Sequence, residues 1–218
     1  MLLLLVAFTS GAVYVGTRAF ANENRAIKVK IAAAWYREGE QRLREKHPDE
    51  AVTAFRKASV NDHDRQVYAL SLAQALQLAG RNNEARELLL QLRESSPENP
   101  QINLELARVA AEERNVSEAL RYYHSALYGI WTGGDVDARQ RKIRRELINF
   151  LVAQRALDEA LAEVLALAYH LPNTVQSHLE LGEMFARVND PQRAQAEFTA
   201  VLQHESRNQI ALQGAGQA

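Results

Sequence analysis

The chain contains no cysteine, which removes disulfides, thiolate metal ligation and thiol nucleophiles together without assigning a compartment. Proline and glycine are also scarce, with 5 and 10 residues in 218, too few for a loop-rich or all-β fold. Neither sign of charge is in excess: 26 Lys and Arg stand against 27 Asp and Glu, for a net charge of −1. No global field therefore recruits nucleic acid. Catalytic signatures are missing as well. There is no HExxH, no pair of histidines at i and i+4, no nucleophile elbow, and neither GxGxxG nor GxxxxGK[ST]. Asp49-Glu50 and Asp158-Glu159 are neighbouring carboxylates whose place in helix first turns suits capping better than acid–base chemistry. These absences point to a non-enzymatic protein with no cofactor, no metal and no small-molecule substrate.

What is abundant is Ala and Leu within a 47% hydrophobic composition, which favours helix throughout. From Met1 to Thr17 the run MLLLLVAFTSGAVYVGT carries no charge. With Arg18 snorkelling to the interface, Ala19, Phe20 and Ala21 can extend it to about 20 residues, enough for a single-pass membrane anchor over residues 1–21. A cleaved export signal is the competing reading, because Ala19-Phe20-Ala21 has the small-x-small form that signal peptidase accepts. Residues 22–31 then form a juxtamembrane helical linker.

The remainder repeats with a period of about 34 residues. Blocks begin at Ala32, Gln66, Pro100, Arg141 and Val175, giving units 32–65, 66–99, 100–133, 141–174 and 175–208 with an insertion at 134–140. At one register position stand Ala51, Ala85, Ala119, Ala160 and Ala194. Four residues later come Phe55, Leu89, Tyr123, Val164 and Phe198, and twelve residues before lie Gly39, Ala73, Ala107, Ile148 and Gly182. Each unit reads as two helices of about 13 residues, crossing closely where a small residue of the first meets the alanine of the second. Asp49, Ser117, Asp158 and Asp190 are expected to cap second helices. Pro97 and Pro172 close two units at the same place, where Trp131 stands in the third. The glycine-rich stretch 129–135 predicts a longer loop, with helix resuming near Asp137. Residues 209–218 open a capping or sixth-repeat helix.

This pattern resembles the tetratricopeptide repeat over residues 32–208. The resemblance implies an all-α, right-handed superhelical solenoid of about five antiparallel helix pairs behind an N-terminal hydrophobic helix. It also implies a concave groove lined by the first helix of each pair. Tyr36, Glu40, Gln74, Gln77, Arg108, Lys142, Arg145, Asn149, Gln176, Glu183 and Arg187 would line it, a polar wall with a basic centre that suits an extended peptide or acidic segment. A solvated helix face explains the same residues equally well. The amide-and-basic clamp by which some members hold chaperone tails is incomplete, because Glu180 stands where an amide is needed. Trp131, followed by the basic run 139–145, is either tucked over the repeat seam or exposed as a contact anchor.

The expectation is thus a membrane-tethered protein–protein interaction scaffold. Two alternatives stand beside it: a substrate-docking repeat region of a larger enzyme continuing beyond residue 218, and a soluble periplasmic or secreted adaptor released near Ala21.

Overall fold

The computed structural model describes the backbone of residues 2–217 and the side chains of residues 17, 18 and 20–216. Among these residues there are eleven α-helices and no strand. They fall into two compact units, Met1–Ser95 and Ser96–Ala218. The first holds α1 (Leu2–Arg44), α2 (Pro48–Asn61), α3 (Gln66–Leu78) and α4 (Asn82–Ser95). The second holds α5 (Pro100–Glu112), α6 (Val116–Leu127), α7 (Val136–Ala153), α8 (Leu157–His170), α9 (Val175–Arg187), α10 (Pro191–His204) and α11 (Gln209–Gln217). In each unit consecutive helices pair, α1 with α2 through α9 with α10, and within a unit one pair packs on the next through α2 with α3, α6 with α7 and α8 with α9.

The anchor expected over residues 1–21 lies outside the described side chains except at Thr17, Arg18, Phe20 and Ala21. Among the described residues no helix is long and apolar enough to cross a membrane. The linker at 22–31 is not a separate element, since α1 runs without a break into the first repeat.

Ala51, Ala85, Ala119, Ala160 and Ala194 are all fully buried at 0% exposure, as the repeat register requires. The small position of the first helix works differently from expectation. A Cβ added to Gly39 would stand 2.6 Å from the Phe55 ring, and one added to Gly182 would stand 2.6 Å from the Phe198 ring. In these two repeats the small residue therefore meets the large group that follows the alanine. At the same two register positions the other repeats carry Ala73 and Leu89, Ala107 and Tyr123, and Ile148 and Val164.

The turns inside the pairs share one geometry. Lys46, Gly80, Arg114, Arg155 and Asn189 occupy equivalent places, and all have φ between 58° and 72°. The residue after each donates its backbone N–H to a carbonyl five residues back, as from Arg81 to Leu76 at 2.8 Å and from Asn115 to Ala110 at 2.9 Å. This closes the helix end in a Schellman-type turn that satisfies two orphan carbonyls. Lysine and arginine adopt this left-handed conformation at a cost of roughly 1–2 kcal/mol.

The capping residues stand elsewhere than the sequence suggested, Asp190 excepted. Asn115 caps α6 and Asp190 caps α10, while His47 and Ala156 precede α2 and α8 with no side-chain cap. Asp49, Ser117 and Asp158 sit one position inside the first turn, where an acid still favours the positive end of the helix dipole. The insertion is also divided differently. Part of it lengthens α7 at its N-terminus, with Asp135 accepting the Ala138 N–H at 2.8 Å, and the remainder forms the connection 128–135.

Candidate functional site

In the second unit the first helices α5, α7 and α9 are linked by a series of polar ties. Arg108 on α5 reaches Glu146 on α7 through two hydrogen bonds of 2.8 and 3.0 Å and also touches Glu105 at 2.9 Å. The Tyr123 hydroxyl donates to the same Glu146 carboxylate at 2.9 Å. One residue earlier on α7, Arg145 makes a two-pronged contact with Glu180 on α9. Arg187 on α9 donates back to Asn149 on α7 at 2.9 Å. A planar guanidinium facing a carboxylate fixes direction as well as distance, so these pairs set how one repeat is rotated against the next.

The electrostatics follow from burial and pairing. Burial works to raise the Glu146 pKa, but the hydrogen bond and charge of Arg108, the Tyr123 hydroxyl and Lys142 together hold it below the ordinary carboxylate range. Burial, with Glu146 alongside, pushes the Tyr123 phenol up. Arg108 and Arg145 are held more firmly protonated by their hydrogen bonds to Glu146 and Glu180.

Of the residues singled out in the sequence, Arg108, Arg145, Asn149 and Arg187 are thus brought together, but as ties between repeats. The wall they form alternates in sign and has no basic centre, because Glu105, Glu146 and Glu180 answer the arginines. Sequence reasoning placed Glu180 in the groove but missed Glu105 and Glu146. The available signal was one glutamate at the same register position in three successive repeats. Lys142, Gln176 and Glu183 lie exposed on the same helices. Glu183 and Arg187 border a cleft closed on its other side by Phe198, Ile210 and Gln213.

In the first unit Gln74 is exposed and Gln77 half-buried on α3. Tyr36 is part of the core, with ring centroids 5.5 Å from Phe55 and 5.1 Å from Tyr68. Glu40 is half-buried beside it on α1.

Trp131 is tucked. Its indole N–H donates to the Ala126 carbonyl at 2.8 Å, the Gln140 amide donates to Leu127 at 2.7 Å, and the Arg139 guanidinium stacks 4.7 Å from the Trp131 ring. These contacts close the C-terminal end of α6. The large apolar side chains this loop presents to solvent are Tyr128 and Ile130, at 73% and 78% exposure.

A buried ionic cluster joins α6, α7 and α8. Arg144 donates to Glu163 at 2.5 Å, and the His124 ring nitrogen lies 2.7 Å from the other Glu163 oxygen. The equivalent positions one repeat on carry His178 and Glu197, 2.6 Å apart. No group of His, Asp or Glu that could hold a metal ion occurs among the described residues.

Residues 70–135 match the family model of the tetratricopeptide repeat. No curated protein sequence matches the chain. Among solved structures it is similar to MamA, residues 41 to the end, from Desulfovibrio magneticus RS-1. The TM-score is 0.57 at 17% identity, over 81% of this chain and 97% of that one. It is similar to YrrB, described as a TPR protein with an unusual peptide-binding site. There the TM-score is 0.54 at 16% identity, over 90% of this chain and 95% of that one. A third likeness is to a chain of the APC/C hetero-tetramer Cut9-Hcn1, with a TM-score of 0.57 at 16% identity over 85% of this chain. This chain spans only 36% of that one. At such identities the likeness shows the fold, a tetratricopeptide-type helical repeat.

Proposed function

We propose that this chain is a non-enzymatic interaction scaffold, tethered to a membrane by its N-terminal apolar segment, that holds a peptide or partner protein on the exposed faces of its first helices. The observation that carries this reading is the division of labour along α5, α7 and α9. Arg108, Arg145 and Arg187 are committed to neighbouring repeats, and Lys142, Gln176 and Glu183 stand exposed on the wall so fixed. A rigid polar wall lowers the ordering cost of binding an extended segment. Gln74 and Gln77 offer amides on α3 in the first unit, and both make contacts within the chain. YrrB, whose description includes a peptide-binding site, supports a peptide as ligand. The uncharged run Met1–Thr17 supports the tether.

The test uses the full chain purified in detergent and membranes from cells that produce it. Proteins crosslinked through a photoreactive group at Lys142 should be lost in a Gln176→Ala/Glu183→Lys variant of unchanged helicity. Capture that is identical in the variant would remove the first-helix face as the binding surface. Deletion of residues 1–21 should release the protein from the membrane fraction, and unchanged sedimentation with membranes would remove the tether.

A further inference from the structure

Helix α1 carries an apolar stripe that stands exposed among the described residues. Phe20, Ile27 and Ile31 are 69%, 49% and 41% exposed, and Asn24 and Ala34 are exposed in line with them. The steps between these five residues alternate four, three, four and three, a heptad spacing that keeps one seam facing a partner helix. The far side of α1 is already occupied by its own repeat. Arg25 pairs with Asp64 at 2.7 Å, Val29 is half-buried and Ala32 is fully buried. The stripe lies about two-fifths of a turn from that contact, at roughly 100° per residue.

We propose that this stripe is the seam of a parallel two-stranded coiled coil with a second copy of this chain. Asn24 and Ile31 fall at a positions, and Phe20, Ile27 and Ala34 at d positions. A single asparagine at an a position pairs with its own copy across a parallel dimer, which fixes register and strand number. The flanking charges agree. Glu23 occupies a g position and Lys28 the e position five residues later, so in a parallel dimer each Glu23 faces the Lys28 of the other copy. Neither residue makes an ion pair within the chain among the described residues. A lipid surface suits the stripe less well, because Glu23 borders it. The seam from Phe20 to Ala34 is about 21 Å long at 1.5 Å per residue.

The absence of cysteine from the chain makes the test direct. Single substitutions Phe20→Cys, Ile27→Cys and Ile31→Cys along the seam, with Asn22→Cys on the outer face, are oxidised in the full chain in detergent. All three seam positions should give covalent dimer, and Asn22→Cys should give little. Crosslinking at only one seam position would indicate an antiparallel pair and overturn the proposal, as would equal yields at Asn22→Cys. Sedimentation equilibrium in density-matched detergent supplies the second readout. Glu23→Lys should weaken the dimer roughly ten-fold, and adding Lys28→Glu should restore it. A chain that stays monomeric at all concentrations would overturn the proposal. So would Ile27→Cys and Ile31→Cys thiols shielded from a water-soluble maleimide only when lipid vesicles are present, which would assign the stripe beyond residue 21 to a bilayer.

Discussion

Arg108 on α5 and Glu146 on α7 face each other in a two-pronged ion pair, at 2.8 and 3.0 Å, that joins the first helices of successive repeats. Both side chains are about two-thirds buried, at 32% and 31% exposure. The pair is therefore less screened than a surface bridge.

Glu146→Gln should lower stability by about 1–3 kcal/mol at neutral pH, because Arg108 and Tyr123 keep their places but lose a charged acceptor. The loss should depend on pH. The Glu146 carboxyl is held below the ordinary range in the folded chain, and in the unfolded chain it takes up a proton near pH 4.3, roughly. Between those values the unfolded chain binds more protons, so this contribution is complete above about pH 5 and fades as pH falls through the folded value. Urea unfolding of both proteins at pH 7 and pH 4 checks this, with a smaller difference expected at pH 4.

Arg144 and Glu163 form the most buried ion pair among the described residues, each with a side chain under 10% exposed. Arg144→Ala should destabilise by about 3–5 kcal/mol, because Glu163 would keep only His124 as its partner in an apolar surround. Arg144→Met together with Glu163→Leu should lose much less, since neither charge is then left buried. Thermal unfolding of the two variants distinguishes these outcomes.

Arg114 has φ of 58° in the turn between α5 and α6. Arg114→Gly should stabilise the chain by about 0.5–1 kcal/mol by relieving the left-handed conformation, less the entropy that glycine adds to the unfolded chain. Gly80→Ala, at φ of 72°, should lose a similar amount. Chemical denaturation of the single variants is sufficient to check both signs.

The repeat register and its buried alanines were legible in the sequence because both are periodic, and periodicity survives without coordinates. Gly80 and Asn189 announce their turns by residue type, but Lys46, Arg114 and Arg155 do not. There the tertiary packing of the helix pair overrides local preference. The caps at Asn115 and Asp135 were displaced in the reading because a helix start is uncertain by a residue or two from pattern alone. The wall on α5, α7 and α9 was legible as a set of positions but not in its electrostatics. Each arginine's partner lies some 35 to 38 residues away, so the pairing emerges only when repeats are stacked. Trp131 was read as either anchor or plug, and the Ala126 carbonyl that decides the matter is a backbone group with no sequence signature.

Close packing of Gly39 on Phe55 and of Gly182 on Phe198 holds these helix pairs together, and Gly39 with Phe55 tests it most directly. Gly39→Ala places a methyl group 2.6 Å from the ring and should lose about 1–3 kcal/mol despite the better helix propensity of alanine. Phe55→Leu alone should lose a similar amount through the space it leaves. Combined, the two substitutions reproduce the Ala73 and Leu89 combination of the next repeat, and urea unfolding of the double variant should show a loss at least 1 kcal/mol, roughly, below the sum of the single losses. Strict additivity would contradict close packing between these positions as the basis of the fold.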